Sequence, residues 1–175
     1  ETISPEWGDF LFRKGQGREK QMPAPDDLEA WKAVQAANDA AKEVAADEKA
    51  AAFGVTYVES EIGGIPVVEV TPSELASTEK IVVYTHGGAY VLNSAKAVIE
   101  APMFIAAETG LRVIAVDYTL APHSKWQETT DEVISVFKAL AKQGFTADDI
   151  VLYGDSAGGG LAAGVTLKMR DLGME

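Results

Sequence analysis

The sequence predicts an α/β domain: a mainly parallel sheet with helices on both faces, preceded by a helical segment. Three observations carry this prediction. The runs KIVVYT, LRVIAVDY and DIVLYGD are short, continuously apolar and rich in β-branched residues, as strands buried on both faces are. Stretches of helical period separate them, and a helix crossing between successive strands makes their pairing parallel. Ahead of them, VTYVESEI and IPVVEV flank Gly63-Gly64, the signal of a β-hairpin.

Taken in order, residues 1 to about 21 scatter Trp7, Phe10, Leu11 and Phe12 among charges and read as an irregular or helical arm. After PAPDD, Leu28, Trp31, Val34, Ala37, Ala41 and Val44 recur at three- and four-residue steps, and Asp26 or Asp27 supplies an N-cap. One amphipathic helix to about Ala52 is expected. Residues 1–53 thus form a helical cap segment, and residues 54–175 the α/β unit. Within the hairpin, Pro66 suggests an edge position, because proline cannot donate to a ladder.

KIVVYT ends in HGGAY, and a helix follows from about Ser94 to Thr109, stopped by Gly110. LRVIAVDY leads into the loop TLAPHSKWQ. A second helix covers about Glu128 to Gln143, with Val133, Ile134, Phe137 and Leu140 on one stripe and Gly144 at its end. DIVLYGD is the third buried strand, and a helix from Ala157 to about Leu172 closes the sequence. Ligands on such sheets bind outside the carboxyl ends of the strands. HGGAY, TLAPHSKWQ and GDSAG all fall there.

Composition narrows the function classes. The 175 residues are 47% hydrophobic, enough for a real core in a soluble globular unit. A formal charge of -12 disfavours nucleic acid and anionic membrane surfaces as partners. No cysteine is present, which excludes disulfides, Cys-ligated zinc and a thiol nucleophile. No apolar run approaches the ~18 residues of a membrane span, and no signal pattern opens the chain. The cytoplasm is the default compartment, and nothing calls for a metal or a cofactor.

The chemistry concentrates at Gly154-Asp155-Ser156-Ala157-Gly158, a G-x-S-x-G pattern in the strand–turn–helix setting it requires. Chance alone gives roughly 0.07 such matches in a chain with this many glycines and serines. A sharp turn from strand into helix forces the serine into strained backbone geometry and lifts Oγ clear. Side chains two residues either side would collide, so glycine stands at both places. The second feature is His86-Gly87-Gly88-Ala89-Tyr90, at the end of the adjacent strand. Acyl transfer builds negative charge on a carbonyl oxygen, and backbone N–H groups of Gly87, Gly88 and Ala157 are suited to receive it.

These residues resemble the hormone-sensitive lipase family of α/β-hydrolases, which includes many bacterial esterases. HGGAY stands for the family's HGGG-type element, DYTLAP for its DYRLAP element, and GDSAGG follows in the same order and spacing. The resemblance implies an α/β-hydrolase fold and hydrolysis of carboxylic esters with short to medium acyl chains. It implies Ser156 as nucleophile and Gly87, Gly88 and Ala157 as oxyanion hole. His86 would brace the loop, Asp155 would be a structural hydrogen-bonder, and Tyr90 and Trp126, with the aromatics of the N-terminal arm, would be pocket walls. Ala89, Thr119 and His123-Ser124 depart from the family's usual residues.

A neutral serine needs a base, itself oriented by a carboxylate, and in this fold both follow the serine in the chain. No histidine follows Ser156; His86 and His123 both precede it. His123 would lie two strands from the serine, ~9–10 Å away at ordinary strand spacing. The fold is therefore expected to be incomplete in these residues. A second polypeptide carrying the remaining strands, the acid and the histidine is the expected partner, beside a small-molecule ester. A ligand binder on a hydrolase scaffold, or a lactone, amide or carbonate hydrolase, is the alternative.

Overall fold

A computed structural model of the chain describes residues 4, 6 and 22–174. The rest of the expected N-terminal arm, with Trp7, Phe10, Leu11 and Phe12, lies outside the described residues.

Five strands form one sheet: β1 (Val55–Ile62), β2 (Ile65–Pro72), β3 (Ile81–Thr85), β4 (Arg112–Val116) and β5 (Ile150–Gly154). Their order is β1-β2-β4-β3-β5. β1 and β2 are the predicted hairpin, closed by Ile62 opposite Ile65. β2 runs antiparallel to β4, whereas β4, β3 and β5 are parallel. β2 is therefore interior, which corrects the edge position expected from Pro66. Pro66 is tolerated because it stands at the exposed hairpin end of β2, before the pairing with β4 begins at Val67.

All five residues of β3 are buried, as a continuous apolar run requires of a strand covered on both sides. Its alternate residues enter two cores. Ile81 and Val83 join Ile114, Val133, Phe137, Leu140, Leu161 and Val165 under α4 (Trp126–Lys142) and α5 (Ala157–Asp171). Val82 and Tyr84 join Val113, Ala115 and Met103 under α2 (Ala46–Phe53) and α3 (Glu100–Thr109). Fully burying each of these aliphatic side chains contributes about 1.5–3 kcal/mol of transfer free energy. The hairpin is wedged as well: a Cβ on Gly63 would lie 2.4 Å from the Ser135 carbonyl oxygen of α4.

Two helix expectations need correction. The single helix to Ala52 is two helices, α1 (Leu28–Ala40) and α2, because Ala45 turns left-handed at φ 61°. α1 buries Trp31 and binds loops at the strand ends, whereas α2 lays the small faces of Ala46 and Ala50 on the sheet. One straight rod cannot do both, and Val44 is left exposed at the bend. The helix expected from Ser94 begins regularly only at Glu100, behind a series of turns. Pro102 explains this: it has no N–H for the Val98 carbonyl, so it is accommodated only in a first turn.

Candidate active site

The loops after β3, β4 and β5 meet at one end of the sheet. At the β5–α5 turn, Ser156 has φ 50° and ψ −121°, a conformation that side-chain-bearing residues seldom adopt. The turn is possible because the flanking glycines interlock. A Cβ on Gly154 would come 2.3 Å from the Gly158 carbonyl oxygen, and a Cβ on Gly158 would come 2.0 Å from that of Thr85. The Thr85 hydroxyl donates to the Gly158 carbonyl at 2.9 Å and so locks the first turn of α5 to β3. Ser156 is left exposed at the mouth.

Asp155 is held from β3. The Tyr84 hydroxyl donates to Asp155 Oδ1 at 2.5 Å, and the Gly87 N–H donates to the same oxygen at 3.0 Å. Burial, then the hydrogen bond to Asp155, pushes the Tyr84 hydroxyl well above the usual phenol range. Gly87 comes so close that a Cβ there would be 3.1 Å from Ser156 Cβ. Its N–H is committed to Asp155. Of the three expected oxyanion donors, Gly88 and Ala157 keep N–H groups with no protein acceptor among the described residues.

The loop after β3 is strained and braced. Gly88, Ala89, Tyr90 and Asn93 all have positive φ. The Gly87 carbonyl accepts from Asn93 Nδ2 at 2.8 Å, and His86 Nδ1 lies 2.9 Å from the same oxygen. A carbonyl needs a donor, so the proton of the His86 imidazole is on Nδ1. His86 is fully buried and stacks on Tyr118 with ring centroids 4.3 Å apart, and the Tyr118 hydroxyl donates to the His86 carbonyl at 2.5 Å. Burial keeps the imidazole below its ordinary range, against the pull of the Gly87 carbonyl and of Asp117 and Asp155.

The DYTLAP segment closes the site behind this loop. Asp117 accepts the Ala95 N–H at 2.7 Å, and burial holds its carboxyl above the usual range. Tyr90 and Trp126, the expected pocket walls, line one cleft of about 600 Å³ with Tyr118, Leu161, Gly160 and Gly164. Tyr90 lies over the start of α5, where a Cβ on Gly160 would meet its hydroxyl at 2.6 Å. His123 is in the β4–α4 loop, and β3 separates its strand from β5. No group of three or more His, Cys, Asp or Glu that could hold a metal exists among the described residues. No helix among them is long and apolar enough to cross a membrane.

Sequence reasoning missed Asn93, Tyr84, Tyr118 and Gln35. Tyr84 left a signal, a hydroxyl inside an otherwise apolar strand, which must find a partner when buried. Asn93 left a weaker one, an αL-tolerant residue after a glycine pair.

A serine turned out on a strained strand-to-helix corner thus stands beside a glycine loop with free N–H groups, at the carboxyl end of the parallel strands of an α/β-hydrolase sheet. A sequence profile of the alpha/beta hydrolase fold matches residues 82–175, and the chain belongs to that family. Within it the similarity runs to the hormone-sensitive lipase type. A hormone-sensitive lipase from a metagenome library superposes with a TM-score of 0.78 at 25% identity, over 99% of this chain and 54% of that one. An acetyl-hydrolase-named relative from Mycobacterium tuberculosis is 35% identical over 122 residues, 70% of this chain and 39% of its own length. An esterase of Acinetobacter venetianus is 33% identical over 116 residues, 60% of this chain and 38% of its own. The chain thus spans about two fifths of the curated relatives and about half of the solved structure.

Proposed function

We propose that the protein is a carboxylic ester hydrolase that works through Ser156 and an acyl-enzyme. The observation that carries this is the backbone of Ser156, strained at φ 50° between glycines that no larger residue could replace. Such strain persists where function uses it. Relatives named esterase and acetyl-hydrolase support the same reading.

In this reading Ser156 Oγ attacks the ester carbonyl carbon and the Gly88 and Ala157 N–H groups receive the oxyanion. Gly87, whose N–H is held by Asp155, walls the hole, while His86 and Asp155 brace it. Tyr90 and Trp126 line the cleft for a short or medium acyl chain. Residues 1–53 act as the cap, and residues 54–175 supply the nucleophile half of the catalytic domain. The base and its orienting carboxylate come from a further segment or a second polypeptide that pairs with β5. The span of the chain relative to its relatives, and the exposed apolar residues Val151 and Tyr153 on β5, support that part.

The test is turnover of a short-chain aryl ester by the complete assembly, with and without Ser156→Ala. Loss of turnover to background is expected. Unchanged turnover in the variant overturns the assignment.

A further inference from the structure

The N-terminal helix reaches the Gly87–Gly88 peptide through Asn93. Asn93 Oδ1 accepts from Asn38 Nδ2 at 3.1 Å and from Lys42 Nζ, while Asn93 Nδ2 donates to the Gly87 carbonyl at 2.8 Å. An ammonium can only donate, so the atom facing Lys42 is the amide oxygen, and the NH₂ must face Gly87. Lys42 lies just past the end of α1, and Asn38 within it. Farther along the same helix, Gln35 Nε2 donates to the Val91 carbonyl at 3.2 Å and to that of Ala121 at 3.0 Å. α1 is thus tied to the loops after both β3 and β4.

The Gly87 carbonyl and the Gly88 N–H belong to one planar trans peptide and point in opposite directions. Fixing the oxygen therefore fixes where the hydrogen points. Asn93 is 9% exposed and holds φ 74°, so the loop accepts an unfavourable backbone to bring this amide in. Gly88 itself, at φ 135°, is free to swing the peptide if it is released.

We propose that Asn93 is a positioning residue: clamped by Asn38 and Lys42 of the N-terminal segment, its amide orients the Gly87–Gly88 peptide so that the Gly88 N–H faces the substrate oxygen. The inference rests on the esterase reading for its kinetic consequence. The orientation of the peptide itself does not depend on that reading. His86 Nδ1 supplies a second hold on the same oxygen, so loss of Asn93 loosens the peptide and leaves the loop intact.

Two variants separate the hydrogen bond from backbone strain. Asn93→Gly keeps the positive φ and removes the amide. Asn93→Asp keeps the shape and the contact with Lys42, but turns an oxygen toward the Gly87 carbonyl. In the complete assembly both are expected to lower kcat for a short aryl ester by about tenfold or more, with KM within about twofold, since an oxyanion donor acts in the transition state. A purely structural role would instead show in the thermal midpoint, with kcat per folded molecule unchanged. Unchanged kcat in both variants overturns the proposal. Crystal structures of the two variants give the independent readout: a Gly87–Gly88 peptide rotated or smeared is expected, and one superposing on the parent in both overturns the proposal whether or not the parent turns over esters. A parent that turns over no ester, combined with a rotated peptide in the variants, sinks the esterase reading and leaves the positioning role standing.

Discussion

The Tyr84 hydroxyl and the Asp155 carboxylate meet at 2.5 Å, across 71 residues of sequence, and the oxygen that accepts this bond also accepts the Gly87 N–H. One carboxylate oxygen therefore joins β3, the loop after it and the β5–α5 turn. Tyr84→Phe is expected to destabilise the chain by about 1.5–3 kcal/mol, the range for a hydrogen bond to a charged group. Urea denaturation measures this. A double-mutant cycle with Asp155→Ala should show strong coupling, and strict additivity would mean that the contact contributes nothing.

The interlocked glycines at the serine corner set a second expectation. Gly158→Ala would place a methyl 2.0 Å from the Thr85 carbonyl oxygen, which is backbone and cannot yield without shifting β3. A loss of about 3 kcal/mol or failure to fold is expected. Gly164→Ala, which meets nothing within 4 Å on the same helix, is the control and should cost almost nothing. Similar thermal midpoints for the two variants would show that the corner is looser than these distances imply.

His86 and Asp117 give the pH dependence opposite signs. Burial lowers the folded affinity of His86 for protons below its ordinary value of 6.5, so the unfolded chain binds the extra proton first and stability is lost as pH falls from about 6.5. Asp117 is raised above its ordinary 3.8 by burial, so its burial costs stability at neutral pH, and that cost is relieved on acidification. Unfolding free energies from pH 7.5 to 5 should fall for the parent and fall less steeply for His86→Gln. Parallel curves would rule out a buried neutral imidazole.

At β5, Val151 and Tyr153 are about half exposed on the side of the sheet where Val82 and Tyr84 are covered by α2 and α3. A strand of this composition, unpaired on its outer side among the described residues, is a template for association. The 175 residues expressed alone are expected to self-associate, and Val151→Lys is expected to reduce this in sedimentation velocity. A parent that stays monomeric at high concentration would contradict it.

Much of this was legible in the sequence. KIVVYT and LRVIAVDY are the doubly covered strands that their continuous apolar runs predict, whereas DIVLYGD, read the same way, packs only Ile150 and Leu152 on a core and leaves Val151 and Tyr153 exposed. The stripe of Val133, Ile134, Phe137 and Leu140 is buried as its spacing requires. The break between α1 and α2 was not legible, because Ala41 to Ala45 contains good helix formers and the bend is decided by what each helix docks on. The delayed start of α3 was legible in Pro102 and overlooked. At the site, the serine corner and the glycine loop could be read because each is local in sequence. The clamp on Gly87 could not, since Asn38 and Asn93 are 55 residues apart and either alone is an ordinary polar residue.

The wedge of Gly63 against α4 also has a practical side. Hairpin turns are usual places to graft an epitope or a fluorophore, but this one is packed against the Ser135 carbonyl, so lengthening it would pry β1 and β2 away from the core. Gly144 is no easy alternative: an added Cβ would meet nothing within 4 Å, but its φ of 101° is one that side-chain-bearing residues seldom adopt.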